Sequence, residues 1–335
     1  MRKTTYELNY KPTLSLFETQ KAIKFVKDAF QNDFAESLSL SRVTAPLFVI
    51  PTTGLNDNLN GVERPVSFDI PSANENAEIV QSLAKWKRMA LGKYEFKHDT
   101  GLYTDMNAIR RDEDLDFIHS CYVDQWDWEK VITVEERTLD YLKEVVNKIF
   151  EVMKGVERKV YAKYPQFKPV LPEEIAFVST SELEKRWPNK TRKEREDLIC
   201  EEKKAVFVYQ IGWPLKDNHS HDGRAADYDD WKLNGDIMLY YKELDIAFEI
   251  SSMGIRVDEK SILKQLKAKK EEFKIENQYV QGILNKTLPL TIGGGIGQSR
   301  LCMYMLKKAH IGEVQASVWS EDDIKQLEEC NIHLL

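Results

Sequence analysis

The sequence is poor in cysteine, has no long apolar run and carries no excess of positive charge. Four cysteines occur among 335 residues and none forms a Cys-x-x-Cys pair, so we expect reduced thiols in a cytoplasmic protein. No run of about 18 apolar residues exists and residues 1–10 hold no apolar core, so we expect neither a transmembrane helix nor a signal peptide. Lys and Arg number 48 against 55 Asp and Glu, which disfavours a free-standing nucleic-acid-binding protein.

The standard nucleotide-binding motifs are also missing. The sequence has no Gly-x-Gly-x-x-Gly dinucleotide motif and no Gly-x-x-x-x-Gly-Lys-Ser/Thr phosphate loop. It does have four glycines between residues 293 and 297, directly before a predicted helix over about 298–307 that carries Arg300. Glycines allow a ligand to approach the backbone, and a helix N-terminus favours anions; a tight turn without a ligand is the alternative.

The order of elements predicts an α+β fold, because the strands cluster instead of alternating strictly with helices. Helical periodicity predicts helices over about 18–37, 82–92, 135–164, 181–204 and 259–284. Apolar and β-branched runs predict strands over about 41–50, 66–70, 122–128, 205–211, 236–241 and 247–258.

Two acidic residues stand in strands that should be buried. Asp236 and Glu249 have apolar neighbours, and a buried carboxylate needs a cation or a hydrogen-bond donor. Together they fit Mg²⁺ bound to a phosphate. Ion pairing with Arg256 is the alternative.

Charged residues also cluster near the middle of the chain. Residues 110–114, followed by the alternating segment 125–129, suit binding of a phosphate and an amine; a charged hairpin packed by aromatic rings is the alternative. On the predicted helix 82–92 we expect Lys85 and Arg88 to face solvent, whereas Lys87 could point inward at a substrate carboxylate.

Two polar segments give weaker signals. The run 190–197 mixes both charge signs and is typical of a solvated helix face or a loop. Residues 217–231 contain His219 and His221, but one His-x-His without nearby ligands is weak evidence for zinc. We therefore interpret 217–231 as an active-site loop rich in carboxylates.

These segments follow the order of the three class II aminoacyl-tRNA synthetase motifs. Pro46 after a long helix resembles motif 1, residues 110–113 with 125–129 resemble motif 2, and 293–300 resembles motif 3. Over almost its whole length the chain resembles the ammonia-dependent asparagine synthetase (aspartate–ammonia ligase) family. The segments that carry this resemblance are HSCYVDQWDWE, DYDDW, LNGDI, FEISSMGIRVD and TIGGGIGQSRL.

The resemblance implies a mainly antiparallel sheet flanked by helices, in a cytoplasmic homodimer. It implies a single catalytic domain over residues 18–335 after an N-terminal extension over 1–17. The implied reaction converts L-aspartate, ATP and ammonia into L-asparagine, AMP and diphosphate through a β-aspartyl-adenylate. Residue 2 is Arg2, not the cysteine of a glutamine-dependent synthetase, so we expect ammonia as the nitrogen source.

The resemblance also implies roles for individual residues. Arg110 would bind the α-phosphate (an aspartyl-tRNA synthetase alignment would choose Arg111), and Asp236 with Glu249 would hold Mg²⁺. The other implied ATP-binding residues are Glu113 and Arg300. The implied aspartate- and ammonia-binding residues are Asp57, Ser82, Lys87, Gln125, Asp127, Asp229, Ser251, Ser252, Arg256 and Gly295; among them Asp57 and Asp229 would orient ammonium and accept its proton.

Two other functions stay open. One is an aspartate-activating synthetase paralogue that acts on tRNA or protein; we expect no nucleic-acid partner because the chain is acidic and has no room for an anticodon domain before residue 18. The other is a regulatory paralogue without catalysis. Retention of Lys87, Arg110, Glu249, Arg256 and Arg300 disfavours it.

Overall fold

The computed structural model describes residues 10–335 except 57–58 and 60–62. Its α-helices are α1 (Leu16–Leu38), α2 (Ala84–Lys93), α3 (Leu139–Lys163), α4 (Thr180–Arg186), α5 (Arg192–Lys203), α6 (Glu259–Lys269), α7 (Gln278–Leu284), α8 (Gln298–Met305) and α9 (Glu321–Glu329). Its strands are β1 (Leu40–Arg42), β2 (Phe48–Val49), β3 (Ser67–Ile70), β4 (Glu75–Ile79), β5 (Gly101–Ile109), β6 (Tyr122–Val131), β7 (Ala176–Ser179), β8 (Ala205–Tyr209), β9 (Asp229–Tyr241), β10 (Ile246–Arg256) and β11 (Thr291–Gly297).

An eight-stranded sheet forms the centre of the molecule, in the order β1-β5-β6-β11-β10-β9-β8-β7. Every pairing from β5 across to β8 is antiparallel, and only the outer pairs β1–β5 and β7–β8 are parallel. A second, small antiparallel sheet has the order β2-β4-β3. The predicted α+β fold with a mainly antiparallel sheet is confirmed.

Helices α1 and α3 cover one face of the large sheet. Helix α1 starts at a capping box formed by Ser15 and Glu18. Its buried Phe30 and Phe34 lie against Trp126 and Trp128 of β6, with ring centroids 4.6 and 5.9 Å apart. Since alternate side chains of a strand point to opposite faces, these tryptophans leave the intervening polar residues of β6 on the other face.

Several predicted elements are divided. The predicted strand 41–50 forms two short strands, β1 and β2, on either side of Pro46, which cannot donate to a ladder. The predicted helix 181–204 is interrupted around Pro188, and the predicted helix 259–284 ends its first part at the left-handed Lys270. The domain division at residue 17 stays a prediction. Within the described part of the chain, no helix has the length and apolar character to cross a membrane.

Candidate active site

The glycine run forms a strand instead of a turn. Gly293 to Gly297 lie in β11 between β6 and β10, and helix α8 begins directly after them. A Cβ atom at Gly293 would collide with the Glu129 carboxylate, and one at Gly295 would collide with the Gln125 amide. The glycines therefore create space for the polar side chains of β6.

These side chains border a cavity of about 520 Å³ on the sheet face opposite α1 and α3. The structure brings most predicted site residues together at this cavity. Those that line it are Ser82, Lys87, Arg110, Glu113, Gln125, Asp127, Asp229, Glu249, Ser252, Arg256, Gly295 and Arg300.

Two of the predicted residues that the structure describes do not line the cavity. Asp57 lies outside the described residues. Ser251 pairs across the sheet with Ile237 and Ile296, which belong to the apolar core, so its side chain faces that core. A substrate-binding role for Ser251 thus has no support from its position. Asp236 lies behind the lining and contacts it through an arginine described below.

Lys87 and Asp127 form a buried ion pair at the cavity wall. The Lys87 Nζ donates to Asp127 Oδ1 at 2.6 Å and to the carbonyl of Gly294 at 3.0 Å. Burial lowers the pKa of Lys87, and the Asp127 carboxylate opposes that effect. The Lys87 side chain thus points inward, the orientation that helical spacing had left open, and the pair places a cation and an anion side by side at the cavity wall.

Arg256 is held between two carboxylates. Its Nε and Nη2 donate to Glu129 at 2.9 and 2.7 Å, and its Nη1 donates to Asp229. Burial opposes ionisation of Glu129, but Arg256 lowers the pKa of that carboxyl below its ordinary value. Burial raises the pKa of Asp229, although Arg256 counteracts it. The alternative pairing of Arg256 with Asp236 or Glu249 is therefore wrong.

The solvent-facing orientation expected for Lys85 and Arg88 is also wrong. Arg88 is 1% exposed and donates to the carbonyls of Pro289 and Val257, both at 2.8 Å. Lys85 is 6% exposed and lies 3.4 Å from Asp227. Helix α2 packs between the sheet and the segments around these partners, so it has no long solvated face.

Two arginines stand on the other side of the cavity. Arg110 lines it, and the buried Nε of Arg110 makes no hydrogen bond, whereas Arg111 is exposed and does not line it. Arg300, from α8, donates from Nη1 to the carbonyl of Glu249 at 3.0 Å and lies over the Phe248 ring. This side therefore offers two guanidinium groups with few internal partners.

Asp236 and Glu249 lie near each other beside a third arginine. Arg224 donates from Nη2 to Asp236 Oδ2 at 2.5 Å, while the buried Oδ1 of Asp236 makes no hydrogen bond. Burial, with repulsion from Glu249 and Asp222, raises the pKa of Asp236 to about 7, although Arg224 opposes the rise. The Asp236–Glu249 pair is thus a site where added positive charge would be favourable.

A family model described as Aspartate-ammonia ligase matches residues 17–331. The chain belongs to the aspartate–ammonia ligase family. An aspartate–ammonia ligase from Clostridium perfringens is 59% identical over 336 residues, which cover 100% of both chains. One from Pediococcus pentosaceus is 59% identical over 98% of both chains, and one from Fusobacterium nucleatum is 57% identical over 97% of this chain and 99% of its own.

The fold of this family member is similar to that of solved class II aminoacyl-tRNA synthetases. An asparaginyl-tRNA synthetase from Entamoeba histolytica, in complex with asparaginyl-adenylate, matches with a TM-score of 0.65 and 14% identity over 91% of this chain and 68% of its own. The Pyrococcus horikoshii enzyme, complexed with asparaginyl-adenylate, matches with a TM-score of 0.65 and 16% identity over 90% and 70%. At these identities the likeness shows a shared fold.

The sequence analysis of this aspartate–ammonia ligase family member did not predict two residues of the site, Glu129 and Arg224. Glu129 binds Arg256 and lies two residues after Asp127 in β6. Because residues two apart in a strand point to the same face, this spacing could have placed Glu129 on the same face of the sheet as Asp127. Arg224 lies in an irregular loop, where spacing predicts no orientation. Only the pairing with Asp236 reveals it.

Proposed function

We propose that the protein is an ATP-dependent ligase that converts L-aspartate and ammonia into L-asparagine, with release of AMP and diphosphate, through a β-aspartyl-adenylate. The observation that carries the proposal is one cavity with two parts. Buried Lys87–Asp127 and Arg256–Glu129 pairs border one part, and Arg110 and Arg300 border the other. The first part suits a zwitterionic amino acid and the second suits a nucleotide, and family membership supports both.

The residues that form the buried ion pairs would also bind the charged groups of aspartate. Lys87 and Arg256 would bind the α-carboxylate, and Asp127 with Gln125 would bind the α-ammonium, so each buried charge keeps an opposite charge beside it. Ser82, Ser252 and the backbone at Gly295 would donate or accept further hydrogen bonds. In this orientation the β-carboxylate points towards the nucleotide.

Activation would depend on position and charge. A carboxylate is a poor electrophile because its leaving group is oxide, whereas in an acyl-adenylate the leaving group is AMP. Arg110 would contact the α-phosphate as negative charge develops there, and Glu113 with Arg300 would hold the nucleotide in line with the β-carboxylate. The few internal partners of Arg110 and Arg300 support these roles.

Mg²⁺ fits the residues at this end of the cavity. Asp236 has one buried oxygen without a hydrogen bond, and Glu249 has a 41% exposed side chain near it. Such a pair matches the one or two carboxylates by which proteins bind Mg²⁺ together with substrate phosphates. When bound, the ion would neutralise phosphate charge. Among the described residues, no group of three or more His, Cys, Asp or Glu side chains could hold a metal ion by itself.

Amidation needs a base, because ammonium has no lone pair. Asp229 is a suitable base, since burial raises its pKa and its partner Arg256 holds it beside the aspartate site. Asp57 remains our second proposed base. We also propose, from the family resemblance, that the enzyme is a cytoplasmic homodimer without a nucleic-acid partner.

Product analysis tests the function. Purified protein is incubated with Mg-ATP, aspartate and ammonium chloride, and asparagine, AMP and diphosphate are measured together. Equal amounts of all three are expected. Diphosphate exchange without asparagine would point instead to transfer onto tRNA or protein, and the absence of ATP turnover would favour a regulatory paralogue.

A further inference from the structure

Helix α5 contains the mixed-charge run that the sequence suggested to be a solvated face, yet two rows of its side chains bind other parts of the fold. Arg192 and Glu196, four residues apart, contact the loop before β9. Lys193 and Asp197, the next such pair, bind the backbone of Ala247 at the start of β10, at 3.1 and 2.8 Å. One helix therefore connects a loop and a strand that both reach the cavity.

The loop between β8 and β9 is fastened to α5 at several points. Arg192 donates to the carbonyl of Ser220 at 2.7 Å and to both oxygens of Asp217 at 2.9 and 2.8 Å. His221 Nε2 lies 2.9 Å from Glu196 Oε1. Asp217 is exposed and Ser220 is half-buried, whereas His221 is buried, so His221 is the deepest of these anchors.

His221 is the buried histidine of the His-x-His pattern formed by His219 and His221. It is 4% exposed, its Nδ1 is buried without a hydrogen bond, and the Glu196 contact is the polar contact that the structure gives its ring. His219 is exposed and turns back on its own loop. The two histidines therefore do not converge on a metal.

The segment directly after His221 enters the cavity. Asp222, Gly223 and Arg224 line it, and Arg224 binds Asp236 at 2.5 Å. On the other side of α5, Ala247 stands two residues before Glu249. The helix thus sets the distance between Arg224, on the loop, and the acidic pair on β9 and β10.

We propose that Arg224 is an additional phosphate-binding residue for ATP, and that His221, through Glu196 of α5, is the positioning residue that holds Arg224 against Asp236. The inference rests on the proposed function. The cavity gives Arg224 access to a polyphosphate, and its contact with Asp236 leaves the other oxygen of that carboxylate unbound. Without His221 the loop would keep only its attachments at Asp217 and Ser220, so Arg224 would be held less firmly against Asp236.

Steady-state kinetics of the full-length enzyme test the positioning role. His221→Ala should raise KM for ATP about tenfold, the effect of losing one hydrogen bond to a charged group, with KM for aspartate changed less than about twofold. His221→Gln, whose amide nitrogen reaches about as far as Nε2, should restore the ATP value. Glu202→Ala is the matched control, because Glu202 is an exposed carboxylate of the same helix that pairs with Arg186.

A double-mutant cycle tests whether His221 acts through Arg224. Arg224→Met should itself raise KM for ATP, and in that background His221→Ala should add less than about twofold. Additive effects, or an unchanged KM for ATP in active His221→Ala, would overturn the inference. If His221→Ala does not fold, His221→Asn, whose amide is too short for Glu196, replaces it under the same criteria. Wild-type protein that makes no asparagine would instead refute the proposed function.

Discussion

Arg256 is a buried cation whose planar group is bound on both sides by carboxylates, and its two partners come from different strands. A lysine places one charge at one point and cannot contact Glu129 and Asp229 in the same fork geometry. Glu129 also accepts a hydrogen bond from Thr291 at 2.6 Å. Thr291 thus holds the Glu129 carboxylate in place, and that carboxylate orients Arg256. The orientation of Arg256 is therefore set by the protein before any substrate arrives.

Arg256→Lys should weaken aspartate binding selectively. We expect KM for aspartate to rise at least about tenfold, because a bidentate charge-assisted contact is replaced by a single one. KM for ATP should change much less, and initial-rate kinetics measure both constants. Arg186→Lys, in an exposed pair with Glu202, is the control. An unchanged aspartate KM in the Arg256 variant would exclude its proposed role.

His310 lies outside the site, and we expect it to make the free energy of unfolding depend on pH. Burial lowers its pKa from 6.5 to about 4, and its Nδ1 accepts a hydrogen bond from the N–H of Gly312 at 3.0 Å, which requires the neutral ring. The unfolded chain binds the proton more readily, so this stability is complete above pH 6.5 and is lost as the pH falls towards 4. The loss amounts to about 3 kcal/mol at most.

Denaturant unfolding between pH 7 and 4.5 checks this dependence. His310→Asn keeps an acceptor for Gly312, because Asn Oδ1 lies about where Nδ1 does, but it cannot take up a proton. Its free energy of unfolding should therefore fall less with acidification than that of the wild type. His98→Asn, at a histidine with a 53% exposed side chain, is the control. Equal pH slopes for the wild type and His310→Asn would show that His310 does not cause the effect.

At the scale of elements, β11 needs glycine because the side chains of β6 occupy the space where a Cβ atom would lie, and not because its backbone must be flexible. Gly295→Ala should force the Gln125 side chain aside, because the new methyl group would overlap its amide oxygen. We expect a higher KM for aspartate and a loss of about 1–3 kcal/mol in the free energy of unfolding, the usual cost of overpacking. Kinetics and denaturant unfolding measure the two effects.

Gly155→Ala is the matched control for this prediction. Gly155 lies within α3, and a Cβ atom there would meet only Asp33 Oδ2, at 3.9 Å. Alanine should therefore stabilise the helix by about 0.5–1 kcal/mol without changing the kinetics. If Gly295→Ala behaved like this control, β11 would not need glycine at that position.

The same strand shows where prediction from sequence stops. Glycine is depleted in strands, so no strand was predicted over 293–297, and a tight turn was the alternative to a ligand-binding segment. Only the side chains of the neighbouring β6 explain why these glycines form a strand. Helices with caps and regular apolar spacing, such as α1, were predicted almost to their ends. The helix predicted over 259–284 was too long, because each half has its own termini.

The site was predictable to the extent that its residues stand in local motifs. Arg110 and Arg300 were found because their segments resemble known motifs, and Lys87 was found because the family resemblance implies its role. All three line the cavity. The partners of Arg256 were not predictable, because Glu129 lies 127 residues away and several nearer carboxylates compete for the same cation. Such pairings depend on strand order, which sequence spacing does not specify.

At the scale of the whole molecule, the small sheet leaves an apolar surface exposed. Leu47, Phe48, Ile50 and Phe68 are 49, 42, 37 and 38% exposed, and the two phenylalanine rings pack edge to face 5.1 Å apart. Contiguous apolar surface of this kind is typical of protein interfaces. We therefore expect these residues to lie in the interface of the proposed homodimer.

Phe48→Asp should convert the dimer into a monomer. In a symmetric interface each substitution occurs twice, so two charges would be buried without partners, at a cost of several kcal/mol each. Sedimentation velocity at micromolar concentration should show a mass of one chain for Phe48→Asp and of two chains for the wild type. Phe273→Asp is the control, because Phe273 is 74% exposed and lies far along the chain beside α6. A Phe48→Asp dimer would exclude this surface, and a monomeric wild type would exclude the dimer itself.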